Sequence, residues 1–325
     1  MKALITGVTG MTGSYLAEYL LTMPDIEVYG IAHPRDSHKF LHQIENQIHL
    51  HECDLCNTET VNTLIRDLRP DQIYHLAAQT SVAESWKNPV QTISNNITCQ
   101  LNIFEAVRKN SINARILVTG SSESYGLISE SDLPVSETVP FKPVSPYGVS
   151  KVAQDMLAFQ YHHNYGMDII RVRVFNLTGP RQSPIFALSN FAKQIAQIKA
   201  GRNKPVIMVG NLEAHRDFTD FRDAVKAYWL ALEHGLPGQA YNIGSGKSLS
   251  LESILSMLLD ISGVLVEIEP NPDRMRPSDI PIMVCDNTLF RTLTGWEPMI
   301  PLTKTLKDLL IYWQTAVEEN QCPPL

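Results

Sequence analysis

The sequence predicts an α/β protein built on a doubly wound parallel sheet, with a smaller domain towards the C-terminus. Apolar β-type runs alternate with helical patterns through the first half, which is typical of a parallel sheet covered on both faces. A glycine-rich turn follows the first run, and the regular alternation of strand and helix patterns ends after Asn176. The 325 residues suffice for one large domain or two closely joined ones.

Six apolar runs have the length and composition of buried strands. We predict strands over Lys2–Thr6, Glu27–Ala32, Ile48–Glu52, Gln72–Leu76, Arg115–Thr119 and Asp168–Val174. We predict helices between them over Gly13–Leu21, Glu59–Leu68, Pro89–Asn110 and Ser145–Tyr165. In such a sheet, ligands bind outside the carboxyl ends of the strands.

After Asn176 the pattern changes to helices joined by proline-rich connections. We predict helices over Phe186–Ala200, Asp223–Glu233 and Ser250–Ser262. We therefore expect residues 1–176, with about 212–242, to form the sheet domain. Residues of about 177–211 and 243–325 would form a smaller substrate domain packed directly on it.

Composition and charge exclude several classes of function. The net charge of −7 argues against binding to nucleic acid or to an anionic membrane. Five cysteines without regular spacing suit a reducing compartment, so we expect a cytoplasmic protein. Cys53 and Cys56 form a C-x-x-C pair, but the sequence offers no second pair to complete a zinc site, and we predict no metal.

The glycine-rich turn predicts a dinucleotide site. Gly7, Gly10 and Gly13 lie between the first strand and the first helix, with Met11 and Thr12 inside the turn. This spacing lets the backbone approach a pyrophosphate, which then lies on the helix N-terminus. A glycine-rich turn of an unrelated α/β protein is the alternative.

The end of the second strand favours NADP(H) over NAD(H). No carboxylate precedes Asp36 there, whereas His33 and Arg35 can face a 2′-phosphate. Asp54, followed by Leu55, comes just after the third strand and is placed to accept a hydrogen bond from the adenine amine. Its alternative role is a helix cap.

A Y-x-x-x-K pair and a serine at a strand end predict redox chemistry on an oxygen. Tyr147 and Lys151 lie on one face of a predicted helix, where an ammonium lowers the pKa of a phenol. Ser121 follows an apolar strand and can polarise the same oxygen. Surface Tyr/Lys pairs are common, but the three motifs together are specific.

With these motifs the sequence resembles the extended short-chain dehydrogenase/reductases, which have a Rossmann-type sheet, over essentially the whole chain. The segment His75-Leu76-Ala77-Ala78-Gln79 is similar to the family's fourth-strand motif, which borders the cofactor. Within the family, the likeness is greatest to GDP-mannose 4,6-dehydratases and GDP-4-keto-6-deoxy-mannose reductases. The segments that carry it are Ser121–Glu123, Ser145–Lys151, Gly210–Asp217 and Arg276–Ser278.

The resemblance implies a role for each motif residue. Ser121 and Tyr147 would hold the C4 oxygen of a sugar, and Lys151 would bind the nicotinamide ribose. A GDP moiety would be engaged by Asn176, Arg216 and Arg276, although surface ion pairing is the alternative for both arginines. Further expected substrate residues are Ser81, Glu84, Ser122, Phe186, Lys193 and Asn211.

Two reactions fit this resemblance. A 4,6-dehydratase would use Glu123 to remove the C5 proton, whereas a reductase delivers a hydride to a C4 ketone. The segments Arg216–Asp223 and Arg276–Pro281 look reductase-like, and Arg181-Gln182 replaces the dehydratases' paired arginines. We therefore expect NADPH-dependent reduction of a GDP-4-keto-6-deoxy-hexose. The alternatives are a GDP-mannose 4,6-dehydratase, an epimerase and, remotely, a non-catalytic NADP(H)-binding regulator.

The resemblance also implies a homodimer. The predicted helices Pro89–Asn110 and Ser145–Tyr165 are similar to those that pair across the family's dimer. Their apolar faces could equally belong to the core of a single chain.

Overall fold

The protein is organised around a parallel sheet with helices on both faces. The computed structural model describes residues 1–275 and 280–319. Within them the strands are β1 (Lys2–Thr6), β2 (Glu27–Ala32), β3 (His49–Glu52), β4 (Gln72–His75), β5 (Arg115–Ser121), β6 (Ile169–Val174), β7 (Asn176–Thr178), β8 (Val206–Val209), β9 (His215–Asp220), β10 (Ala240–Ile243), β11 (Ser248–Ser250), β12 (Glu267–Pro270) and β13 (Ile282–Met283). The helices are α1 (Met11–Leu20), α2 (Thr58–Leu68), α3 (Val82–Lys87), α4 (Pro89–Lys109), α5 (Pro146–Tyr165), α6 (Ala187–Lys199), α7 (Phe221–His234), α8 (Leu251–Ser262), α9 (Thr288–Thr294) and α10 (Leu302–Glu318).

The central sheet has the order β10-β6-β5-β4-β1-β2-β3 in the described part of the chain, and all its strand pairs are parallel. This confirms the predicted doubly wound parallel sheet. The chain runs outwards from β1 in both directions, with β2 on one side and β4 on the other. A crevice forms where the connections from two neighbouring parallel strands leave in opposite directions, so a ligand site is expected at the carboxyl ends of β1 and β4.

Apolar side chains cover both faces of the sheet. On one face, Leu16 of α1 and Tyr228 of α7 pack against sheet residues such as Ile5. On the other, Ile65 of α2 and Phe104 of α4 pack against Leu4 and its neighbours. Alternate residues of β1 thus point to opposite cores, which explains why the buried strands are almost continuously apolar.

A third apolar cluster lies among α6, α8 and α10. Phe191, Leu255 and Trp313 are buried there. Two smaller sheets accompany it: β9 pairs with β7, β11 and β13, and β8 pairs with β12. Among the described residues, no helix combines the length and the apolar character that a bilayer crossing needs.

Candidate active site

A large cavity lies at the carboxyl ends of the central strands. Its volume is about 920 Å³, and its lining includes Gly7 after β1, His33 after β2, Leu76 after β4 and Ser121 at the end of β5. The cavity therefore lies at the carboxyl ends of β1 and β4, where the chain leaves the sheet in opposite directions.

The glycine-rich turn has the geometry of an anion cradle. A Cβ added at Gly13 would collide with the carbonyl oxygen of Gly7, so α1 can begin this close to the turn only with glycine there. Gly10 is the residue before α1 and provides no side-chain cap. The first N–H groups of α1 therefore remain available to a phosphate, which fits a bound pyrophosphate.

All the residues predicted to hold the cofactor line this one cavity. They are Gly7, Gly10, Met11, Thr12, Gly13, His33, Arg35, Asp54, Leu55, Leu76, Ala77, Ala78, Gln79, Tyr147 and Lys151. They come from the ends of four strands and the start of α5, so the fold brings together motifs that are distant in sequence. Their individual contacts with a cofactor remain predictions.

Thr6 ties the glycine turn to β4. Its hydroxyl oxygen accepts hydrogen bonds from the backbone N–H groups of Leu76 and Ala77, both at 3.1 Å. Its own proton is therefore directed to Nδ1 of His75, 3.0 Å away, which assigns the ring proton to Nε2. Burial, with a smaller contribution from Lys151, lowers the pKa of His75 to about 3, so the ring is neutral.

The start of α5 places the predicted phenol beside the end of β5. Ser145 caps the helix by accepting a hydrogen bond from the N–H of Gly148 at 3.0 Å. A Cβ at Gly148 would lie 2.7 Å from the carbonyl oxygen of Glu123, so glycine permits this close packing. Tyr147 is buried and lines the cavity together with Ser121 and Glu123.

The phenol of Tyr147 holds its proton more tightly than an ordinary tyrosine does. Burial raises its pKa, a hydrogen bond from Ser121 acts to lower it, and Glu123 raises it further. The expectation that Lys151 lowers this pKa is therefore not met. Desolvation dominates, and burial also lowers the pKa of Lys151 to about 7, which weakens its positive charge at neutral pH.

Lys151 lies one helical turn beyond Tyr147, as predicted. Its Nζ donates a hydrogen bond to the backbone oxygen of Thr119 at 2.9 Å and lies 5.8 Å from the centroid of the Tyr147 ring. The ammonium is thus fixed between β5 and the phenol, at one side of the cavity.

A buried amide network fixes α5 against α4 and the strand-end motif. Asn96 accepts a hydrogen bond from the N–H of Gln79 at 2.8 Å and donates to the Ser150 hydroxyl at 2.9 Å. Ser150 in turn donates to the backbone oxygen of Tyr147 at 2.7 Å. Gln154 donates to the backbone oxygen of Asn96 at 2.9 Å. The network therefore connects the segment after β4 to α4 and to the start of α5.

The structure brings only some of the predicted substrate residues to the cavity. Ser81, Ser122, Asn176 and Phe186 line it. Among the described residues, Glu84, Lys193, Asn211 and Arg216 do not line it. Arg276 lies outside the described residues.

The predicted substrate residues away from the cavity contact other parts of the fold. Glu84 accepts a hydrogen bond from the Asn88 side chain, and Asn211 accepts one from the N–H of Glu213 at 2.9 Å. Lys193 is fully buried in α6. Arg216 donates to the backbone oxygen of Ile280 at 2.6 Å.

Several lining residues were missed by the sequence analysis. They include Thr9, Asp36, Cys99, Gln182, Phe221 and Tyr228. Cys56 of the C-x-x-C pair lies with its Sγ 3.5 Å from the Sγ of Cys99, whereas Cys53 is buried. Thr9 lies within the glycine turn, whose spacing could have pointed to it. Asp36, Cys99, Gln182, Phe221 and Tyr228 stand in no motif of fixed spacing, so only the folded chain could reveal them.

Both the sequence and the structure are similar to those of known proteins. The sequence matches the family model described as GDP-mannose 4,6 dehydratase over residues 4–309. The GDP-6-deoxy-D-mannose reductase of Pseudomonas aeruginosa is 33% identical over 270 residues, covering 83% of this chain and 88% of that protein. The GDP-mannose 4,6 dehydratase 2 of Arabidopsis thaliana is 32% identical over 328 residues, covering 95% and 85%. The solved structure of RMD from Pseudomonas aeruginosa complexed with NADPH is similar with a TM-score of 0.84 at 29% identity, covering 97% of this chain and 99% of that one.

Proposed function

Because the chain belongs to the GDP-mannose 4,6 dehydratase family, we propose that it is a reductase of the C4 ketone of a GDP-4-keto-6-deoxy-hexose, using NADPH. Its relatives are sugar-nucleotide oxidoreductases and dehydratases, and the chain is an NAD(P)-dependent enzyme of this kind. One observation carries the proposal: Ser121, Tyr147 and Lys151 converge in the cavity that the glycine turn also lines.

The residues of the cavity fit a bound nicotinamide cofactor. NADPH, when bound, supplies the hydride for the reduction. The turn from Gly10 to Gly13 would hold its pyrophosphate, and Lys151 would hold the ribose next to the nicotinamide.

The protein's own part in the reaction is to bind the ketone and deliver a proton. Tyr147 donates its phenolic proton to the C4 oxygen, and Ser121 donates a hydrogen bond to the same oxygen. The raised pKa of Tyr147 keeps the phenol protonated at neutral pH, as a proton donor requires. The ketone thereby gains one hydride and one proton and becomes a secondary alcohol.

The sugar nucleotide would occupy the part of the cavity beyond Tyr147. Ser81, Ser122, Asn176 and Phe186, the predicted substrate residues that line the cavity, would contact it. These side chains offer two hydroxyls, an amide and an aromatic ring, which suit a polar sugar against a flat face. A GDP-linked substrate is supported by the names of the relatives.

A dehydratase is the second candidate, because Glu123 lines the cavity beside Tyr147. A carboxylate there could remove the C5 proton of a 4-keto sugar. Against it, the resemblance to the dehydratases implies two arginines where this chain has Arg181 and Gln182. Arg181 forms an ion pair with Glu18 at 2.6 Å, and Gln182 donates to the backbone oxygen of Leu177 at 2.8 Å. Both side chains therefore bind the protein's own fold.

The two reactions are separated by one pair of assays. With GDP-mannose and no added NADPH, we expect no 4-keto-6-deoxy sugar. With the GDP-linked 4-keto sugar, we expect NADPH to be consumed in proportion to the substrate added. Steady formation of the keto sugar from GDP-mannose would establish the dehydratase instead. No turnover of either substrate, with nucleotide still bound, would establish the regulator.

We also propose that the active protein is a homodimer that pairs through α4 and α5. On α5, Val149, Met156 and Phe159 lie on one face and are each more than 40% exposed. A stripe of exposed apolar side chains on one helix marks a surface that another chain can cover. The resemblance to the family predicts that the chain covering this surface is a second copy of the same protein.

Met156→Asp is expected to convert the dimer to a monomer, because a charge would be buried at the centre of the helix pair. The molar mass measured by light scattering during size-exclusion chromatography checks this. Ile311→Asp is the control, since Ile311 is 50% exposed on α10, away from this face. A monomeric wild-type protein would contradict the proposal.

A further inference from the structure

Two cysteine thiols contact each other in the wall of the cofactor cavity. Sγ of Cys56, in the turn after β3, lies 3.5 Å from Sγ of Cys99 on α4. Both side chains are half-buried and line the cavity, whereas Cys53 and Cys285 are buried. A small molecule that enters the cavity can therefore reach Cys56 and Cys99.

The turn that carries Cys56 is held against α4 by an amide close to Cys99 on the same helix. Asn102 donates a hydrogen bond to the backbone oxygen of Leu55 at 2.8 Å and accepts one from the Thr58 hydroxyl at 3.0 Å. Residues three apart on a helix lie on the same face, so Cys99 faces the turn that Asn102 binds. The fold itself thus keeps the two thiols together.

The two thiols are placed to form a disulfide bond. A disulfide joins two sulfur atoms at about 2.05 Å and needs side chains that point towards each other. The sulfur atoms of Cys56 and Cys99 are already in contact, so a small movement of the turn after β3 suffices to join them.

The surroundings of the pair decide which thiol reacts first. Burial raises the pKa of the Cys99 thiol, and Cys56 and Asp54 raise it further. Cys99 therefore keeps its proton at neutral pH. Because the thiolate is the attacking form of a cysteine, the first attack falls to Cys56.

We propose that Cys56 and Cys99 form a modification site, at which hydrogen peroxide produces an intramolecular disulfide that weakens cofactor binding. Sγ of Cys56 attacks the peroxide, the O–O bond breaks, and the products are a sulfenic acid and one water. Sγ of Cys99 then attacks Sγ of Cys56, and the hydroxyl leaves with the Cys99 proton as a second water. The two thiols lose two electrons, and the peroxide gains them. A dithiol reductant returns the disulfide to two thiols.

The disulfide acts on the cofactor through the turn after β3. The backbone N–H of Cys56 donates a hydrogen bond at 2.9 Å to Oδ1 of Asp54, which lines the same cavity. A movement of Cys56 towards α4 therefore displaces the carboxylate of Asp54 or breaks this hydrogen bond. The inference rests on the cofactor site of the proposed function and adds a regulation of that site. It is independent of which sugar is reduced.

The test treats the wild-type protein with hydrogen peroxide and measures the mass of the intact chain and of its proteolytic peptides. We expect the loss of two hydrogen atoms and a pair of peptides joined through Cys56 and Cys99. The dissociation constant of NADPH, measured by the change in nucleotide fluorescence, is expected to rise at least about tenfold on oxidation. Dithiothreitol should return it to its initial value.

Cys56→Ser removes the attacking sulfur and is expected to form no disulfide, with an NADPH dissociation constant that peroxide leaves unchanged. This variant keeps Met11, which also lines the cavity, so it controls for oxidation of methionine. Cys99→Ser should stop the reaction at the sulfenic acid of Cys56, which dimedone traps. Cys322→Ser is the matched cysteine control, since Cys322 lies outside the described residues, and it should form the same disulfide as the wild type.

Two results would overturn the inference. One is the absence of the joined peptides from a treated protein that binds NADPH before treatment. The other is a disulfide that changes the NADPH dissociation constant by less than about threefold. Failure of the untreated protein to bind NADPH would refute the cofactor site itself, so the two kinds of failure are distinguishable.

Discussion

Replacing Tyr147 with Phe is expected to lower the turnover of the GDP-linked 4-keto sugar by about 10²–10⁴-fold. The phenol is the group in the cavity that can donate a proton to the C4 oxygen while Ser121 polarises it. Removing the hydroxyl leaves the ring, and therefore the packing at the start of α5, in place. The loss should appear in kcat, whereas the dissociation constant of NADPH should remain unchanged.

Single-turnover oxidation of NADPH with saturating substrate measures this effect on the chemical step. Tyr165→Phe is the matched control, since Tyr165 lies at the end of the same helix and is 52% exposed. It should retain wild-type turnover. If Tyr147→Phe kept most of its activity, the proton would have to come from another group, and the assigned chemistry would be wrong.

The sheet could be predicted from the sequence because its strands are buried on both faces. The first six strands were all predicted, with ends that differ from the structure by two residues at most. The seventh strand of the central sheet, β10, was not predicted. It has four residues, Ala240–Ile243, and follows α7 after a short connection. A run this short carries too little periodicity to separate it from a loop.

The motifs of the candidate site were predictable because each is contiguous in the sequence. Chemistry explains the fixed spacing of the glycine turn and of the Y-x-x-x-K pair. It also explains why the serine stands at the end of a strand. The contact between Thr9 and Asp36 was not predictable, because it depends on how the turn after β2 folds back. The direction of the Tyr147 pKa was also missed, since it depends on burial and not on spacing.

The second substitution with a large expected effect, here on the stability of the fold, is at Asp155, which lies in the middle of α5. Its carboxylate accepts hydrogen bonds from Arg171 at 2.6 Å and from Arg173 at 2.9 Å, and all three side chains are buried. Both arginines belong to β6, so the cluster attaches α5 to the sheet. Breaking a buried ion pair by removing one partner leaves an uncompensated charge, which costs about 3–5 kcal/mol.

Asp155→Asn is therefore expected to lower the free energy of unfolding by about 3–5 kcal/mol, measured by urea titration followed by circular dichroism. Asp67→Asn is the control, because Asp67 pairs with Arg66 at 2.8 Å on the exposed surface of α2. Water screens this exposed pair, so its loss is expected to change the free energy of unfolding far less than the loss of Asp155 does.

The arginines have other partners, which set how large the loss at Asp155 can be. Arg173 also donates to the Tyr125 hydroxyl at 3.1 Å and lies 4.5 Å from the centroid of the Phe141 ring. Arg171 lies 5.3 Å from the Phe159 ring. These contacts satisfy hydrogen-bond donors and place each cation over an aromatic face, but they supply no negative charge. Asp155→Asn could instead lower the free energy of unfolding no more than Asp67→Asn does. That result would mean that these other contacts stabilise both guanidinium groups without the carboxylate. The attachment of α5 to β6 would then depend on packing alone.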